Sequence, residues 1–146
     1  MSTGAAAGCP GFFSGMKRSS IWILLWLGGI LFPMAFLGRL WPAFGKVFAA
    51  AFARDWTHIL MHGLLYAVLG FLLQSQFGTL RRRNILIVLS ILAAVGLVHE
   101  GIQIFAAGSW PGWTEEAKDL LVDLLGGSAG MGLALLCART RRQRVA

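Results

Sequence analysis

Four apolar runs divide this chain, at about residues 21–37, 57–73, 85–105 and 120–138, and few folds can accommodate them. Each approaches the ~20 residues a helix needs to cross ~30 Å of hydrocarbon. In lipid the backbone groups must pair within the segment, which makes helices the natural solution. The first run contains Pro33, and the first two runs are a little short. The expected fold is all-α: a four-helix transmembrane bundle making one integral membrane domain over residues 1–146. Composition agrees, with 57% hydrophobic residues, 13% charged residues and a mean hydropathy of +0.70. Soluble domains rarely look like this.

The formal charge of +7 could suggest nucleic acid, but the basic residues flank the apolar runs, so nucleic acid is excluded as a partner. Nine of them lie on one side: Lys17 and Arg18, then Arg81, Arg82 and Arg83, then Arg139, Arg141, Arg142 and Arg144. The other side has four: Arg39, Lys46, Arg54 and Lys118. The positive-inside rule puts both termini in the cytoplasm, as expected of a multi-pass protein of the bacterial inner membrane with a basic tail at 139–146. All the acids, Asp55, Glu100, Glu115, Glu116, Asp119 and Asp123, fall in or near the outer half.

Residues 1–19 form a cytoplasmic segment in this scheme. Its opening, "MSTGAAAGCPGFFSG", has no basic stretch before an apolar core, so a cleaved signal peptide is not expected. Cys9 has no apolar stretch before it, which argues against a lipoprotein. Cys9 and Cys137 stand at opposite ends and suggest no pairing. The first outer loop reads "LWPAFGKVFAAAFARDW". Phe44, Phe48 and Phe52 recur every four residues, on one helical face, and Pro42 suits a first turn. A short amphipathic helix lying on the outer interface is expected there. Trp41, Trp56, Trp110 and Trp113 suit an aromatic belt at the same surface. In the fourth run, Gly126 with Gly130, and Ser128 with Gly132, are small-residue pairs that favour close helix packing.

The polar residues inside the runs gather at one end. His58, His62, Tyr66 and Gly70 are four apart along the second run and share a face. The third run leaves through His99, Glu100 and Gln103, in the stretch "HEGIQIF". The fourth enters through Asp119 and Asp123. Three helix ends therefore bring His58, His62, Tyr66, Glu100, Gln103, Asp119 and Asp123 to a similar depth as a candidate polar cluster. A charge within a span costs roughly 3 kcal/mol or more, so it faces a partner or water. One reading is structural, with polar groups locking three helices in register. Another is a pocket open to the outer leaflet. His58 and His62 with Glu100 or Asp119 could hold zinc, but no third histidine shares that face and no HExxH occurs, so no metal is expected. A buried histidine such as His62 could ligate a tetrapyrrole, yet one histidine decides nothing. The cofactor stays unknown. Glu100 with a histidine could act as an acid–base pair, but no nucleophile motif accompanies it, so a non-catalytic role is favoured over an enzyme.

The stretch "EGIQIF...WPGWTEEAKDLLVDLLGGSAG" resembles the signature half of the VanZ-like membrane proteins. Glu100, Gln103, Phe105, Asp119, Leu120, Gly126 and Gly130 match in kind and spacing. "HGLLYAVLGFLL" resembles that family's histidine–tyrosine–glycine span through His62, Tyr66 and Gly70. Trp113 stands where the family has an arginine, Asp123 where it has asparagine, and His58 at the lead-in position. The resemblance implies a membrane location, an outer polar cluster and an association with low-level teicoplanin resistance. Two functions follow as expectations. The first is a small VanZ-like cell-envelope protein with an outer-leaflet polar site and a lipid-linked substrate. The alternative is a non-catalytic accessory subunit of a larger respiratory or photosynthetic complex, with other membrane subunits as partners.

Overall fold

A computed structural model describes residues 16–32, 37–38, 40–77, 79 and 81–145. Cys9, Pro33, Arg39 and most of the N-terminal segment lie outside them. The protein is helical, with no strand among the described residues. Its helices are α1 (Met16–Ile30), α2 (Pro42–Ala51), α3 (Asp55–Phe77), α4 (Arg82–Ala107) and α5 (Trp113–Val145). Three stretches are long and apolar enough to cross a membrane: Asp55–Phe77, Arg82–Ala106 and Trp113–Thr140.

The first apolar run departs from the sequence expectation. Its helix stops at Ile30, with Ser20–Ile30 as its apolar part, and Leu37 at the end of the run is helical again. The 15 residues of α1 span about 22 Å, short of the hydrocarbon thickness. Leu31 still donates to the Leu27 carbonyl, but Pro33 pushes the residue before it out of helical geometry and has no N–H to continue the ladder. The other three runs extend beyond their expected limits. Polar turns at their ends stay helical until a specific stop. α4 ends at Gly108, whose φ of 69° is the left-handed conformation of a helix C-cap and whose N–H donates to the Ile104 carbonyl. Pro111 and Gly112 turn the chain, and α5 then starts with Glu115 and Glu116 in its first turn, where negative charge suits the helix dipole.

The closest packing joins α3 to α5, and glycine makes it possible. A Cβ at Gly126 would collide with the Gly63 backbone, one at Gly130 with the Ala67 carbonyl, and one at Gly70 with the Gly127 carbonyl. These residues recur at helical spacing on both helices and form a backbone-to-backbone seam. Ser128 and Gly132 do not join it. Gly132 has nothing within 4 Å of a Cβ, and the exposed Ser128 hydroxyl donates to the Leu124 carbonyl of its own helix. Two residues along a helix is about 200° of rotation, so this pair faces the other way.

Beside the seam, Tyr66, Leu69, Val88, Leu92, Ile30 and Met131 make the buried core. α1 is tied to it by the Trp26 indole, which donates to the Leu65 carbonyl at 2.8 Å. The α3–α4 turn is closed by side-chain amides: Gln74 donates to the Thr79 carbonyl at 3.1 Å and Asn84 to the Thr79 hydroxyl at 3.2 Å. The amphipathic helix expected from the phenylalanine spacing is α2. Trp41, Phe44, Phe48 and Phe52 lie side by side, with successive ring centroids 6.3, 5.9 and 4.4 Å apart. None of its residues is buried in the bundle.

Gly130→Val should destabilise the protein by about 3 kcal/mol, because the valine meets backbone that cannot move aside. Gly132→Val should change stability by less than ~0.5 kcal/mol. Unfolding curves in mild detergent check both. Equal effects would mean that the seam is not where the helices touch.

Candidate functional site

Helical spacing puts the polar side chains of the site on successive turns of three helices. His58, His62 and Tyr66 occupy successive turns at the start of α3. His99, Glu100 and Gln103 occupy the last turns of α4. Asp119 and Asp123 occupy early turns of α5. Because α3 and α4 are antiparallel neighbours and α5 returns beside α3, the three sets share one end of the bundle. The glycine seam then brings α5 close enough for direct contact.

At the centre, His62 Nδ1 lies 3.0 Å from Asp123 Oδ1 and 3.8 Å from Glu100 Oε1. The first is a hydrogen bond; the second is a close approach without one. His62 is 4% exposed, Glu100 6% and Asp123 0%, so this is an interior arrangement. His99 stands behind it, its ring centroid 5.2 Å from that of His62 and 6.3 Å from that of Tyr66. The Gln103 amide lies 3.1 Å from His99 Nε2 and 3.5 Å from His62 Nε2, donating to whichever nitrogen lacks a proton. Four buried atoms of the cluster have no hydrogen-bond partner among the described residues: Glu100 Oε1, Asp123 Oδ2, His99 Nδ1 and the Tyr66 hydroxyl. Tyr66 is fully buried and close enough to Asp123 to feel its charge, but its hydroxyl completes no hydrogen bond of good geometry. Gly96 provides room on the α4 side, since a Cβ there would sit 3.2 Å from Asp123 Oδ2.

His58 and Asp119 form an outer tier. His58 Nδ1 is 3.7 Å from Asp119 Oδ1, and both side chains are partly exposed. The His58 ring lies 4.4 Å from that of His62, stacking outward from the cluster. Lys118 donates to Glu115 at 2.7 Å on the surface. Among the described residues neither Glu100 nor Asp123 pairs with a lysine or arginine.

The cluster opens into a cavity of about 510 Å³. Its polar wall includes His58, His62, His99, Glu100, Gln103 and Asp119. The rest of the lining is largely apolar and comes from four helices: Ile30 of α1, Phe48 of α2 with the adjoining Phe52, Met61 and Leu65 of α3, and Ile102, Ile104 and Ala106 of α4. Glu115 and Glu116 add acidic groups to the rim. A concave, mostly apolar space with a few convergent polar groups is the usual form of a small-molecule site.

Every residue of the sequence-derived cluster is therefore placed at this end, but in two tiers. His62, Glu100 and Asp123 are the buried centre, with Tyr66 and Gln103 against it; His58 and Asp119 form the tier above. His99 was left out of that set and belongs in it. Its signal was its position four residues before Gln103, the same spacing that marked the histidines of α3. Gly126 and Gly130 lie in the seam below. No family model, curated protein or solved structure matches this chain.

Removing the imidazole at the centre strands two carboxylates. His62→Ala should cost about 3 kcal/mol of stability, as breaking a buried ion pair does. His58→Ala should cost at most ~1 kcal/mol, because its ion pair is partly exposed. Thermal unfolding of the detergent-solubilised variants measures the difference, and parity between them would refute the two-tier arrangement.

Proposed function

We propose that this chain is a small VanZ-like protein of the bacterial inner membrane, with both termini in the cytoplasm and α1 completing a four-helix bundle. In this reading α2 lies along the outer interface, and the cavity takes an amphipathic, lipid-linked molecule from the outer leaflet. The single observation carrying it is the mixed lining of the cavity, with polar groups from α3, α4 and α5 beside apolar side chains from α1, α2, α3 and α4. A head group bearing hydroxyl or amino donors suits its rim, where Glu116 and Asp119 are acceptors. The acyl or prenyl part suits Ile30, Phe48, Phe52 and Leu65.

The unusual aspartate supports a working site over an inherited scaffold. Asp123 replaces an asparagine of the VanZ-like pattern, yet it is fully buried and bonded to His62. The substitution adds a carboxylate to the centre of the cluster. Such a change favours a site with its own chemistry over the accessory-subunit reading.

The test is complementation in a host deleted for this protein, scored by teicoplanin susceptibility and an envelope-stress reporter. Wild type and Lys118→Ala should restore the phenotype, whereas Glu100→Gln should fail to do so at equal membrane abundance. Phe48→Ala should give an intermediate result by opening the apolar wall. Full activity of Glu100→Gln would sink the site. Recovery of the chain at fixed stoichiometry within a large membrane complex would favour the accessory-subunit reading instead.

A further inference from the structure

The central cluster has an unsolved charge problem. Two carboxylates, Glu100 and Asp123, are buried within one group and, among the described residues, face two histidines but no lysine or arginine. Buried charge is tolerated when it is paired or coordinates a metal. One candidate donor atom from each of His62, His99, Glu100 and Asp123 lies within 4.8 Å of every other. We propose that these four side chains bind a single first-row divalent cation. This rests on the same cluster as the functional reading, but makes a separate claim about what occupies its centre.

Geometry supports it first. With metal–ligand bonds of ~2.0–2.1 Å, the donors of a tetrahedral site stand about 3.3 Å apart. The His62 Nδ1 separations of 3.0 Å from Asp123 and 3.8 Å from Glu100 bracket that edge. The remaining separations, all within 4.8 Å, are wider than that edge, so the four donors must draw together around an ion. The unpartnered atoms point the same way. Glu100 Oε1, Asp123 Oδ2 and His99 Nδ1 complete no hydrogen bond among the described residues, although their residues are at most 9% exposed.

Charge and donor type set the class of ion. A dication neutralises both carboxylates. Two imidazoles with two carboxylates suit zinc, iron(II) or manganese(II); without thiolates the set does not suit copper(I), and with two nitrogens it is wrong for calcium. Gln103 supplies the outer support that metal-bound histidines require. Turned by 180°, its amide presents the carbonyl oxygen to His99 Nε2–H and leaves Nδ1 unprotonated for the metal. His58 is excluded from the set by its outward position and its approach to Asp119. The ion would face the cavity, where an oxygen of a bound head group could reach it.

The experiment uses the full chain, purified in mild detergent with a tag free of histidine, from cells grown with added zinc. Metal content is measured by mass spectrometry after dialysis, and cobalt(II) is then added to stripped protein for its absorption spectrum. Wild type should retain about one zinc per chain and give the intense visible bands of a four-coordinate cobalt site. His58→Ala should match it. His62→Ala and His99→Ala should lose the ion, and Gln103→Ala should weaken binding by about tenfold. Wild-type protein with no zinc and only the pale spectrum of hydrated cobalt overturns the proposal, a result that does not depend on any variant folding. Occupancy that survives a His62→Ala, His99→Ala double change overturns it equally. A chain that holds no cation yet still needs Glu100 for its envelope phenotype overturns the metal and leaves the functional reading intact. One bound zinc, lost with His62→Ala, in a chain whose phenotype ignores Glu100→Gln supports the metal and overturns the functional reading.

Discussion

The contact between the backbones of α3 and α5 is what the rest of this molecule depends on. Gly63 meets Gly126, Gly70 meets Gly127 and Ala67 meets Gly130, with no side chain between them. His62 directly precedes Gly63, and Asp123 lies one turn before Gly126, so the seam continues as a 3.0 Å hydrogen bond. A larger residue in the seam would move Asp123 away from His62 and break that hydrogen bond. In lipid, apolar contact between helices gains little over contact with acyl chains, so close packing and interhelical hydrogen bonds must hold them together. Here the two devices are successive parts of one interface. The site is therefore also part of the structural glue, and the structural and functional readings of its polar residues describe the same atoms.

α4 completes the arrangement by another close approach. Gly96 faces Asp123, and a Cβ there would also meet Leu120 at 2.9 Å. One turn further along, His99 and Glu100 enter the space between α3 and α5. Adjacent residues of a helix differ by about 100° in direction, so both can be buried only where a helix faces two neighbours. α4 does so at this end, which explains why "HEGIQIF" carries two consecutive polar side chains into the interior. The third, Gln103, returns to the same face one turn on and reaches both histidines.

Much of this could be read from the sequence. The long apolar runs and the four-residue spacing of His58, His62 and Tyr66 mark α3, α4 and α5 and the face that carries the site. The phenylalanines of α2 were equally legible, because a repeat of four on a short segment has one helical interpretation. Three features were not. Pro33 sits inside the first run, and hydropathy averaged over a window hides the break that follows Ile30. The two small-residue pairs of α5 look alike in sequence, and only the position of α3 distinguishes Gly130 from Gly132. His99 follows a continuous apolar stretch beside a carboxylate, and its inward direction depends on α4 having two neighbours, which periodicity along one helix cannot reveal. Helical period reports which residues share a face; it does not report which face is covered.

The position of the cluster along the helices follows from solvation. Polar groups at the centre of a span would be costly even when paired, whereas the last turns of a helix lie where water and head groups can share the cost. The same turns are where loops and α2 can form an apolar wall, because Phe48 and Phe52 stand just before α3 begins and Ile30 marks the end of α1. The early stop of α1 thus has a structural consequence. Where α1 ends, Ile30 joins Phe48 and Phe52 in lining the cavity, and the polar cluster gains apolar neighbours on that side.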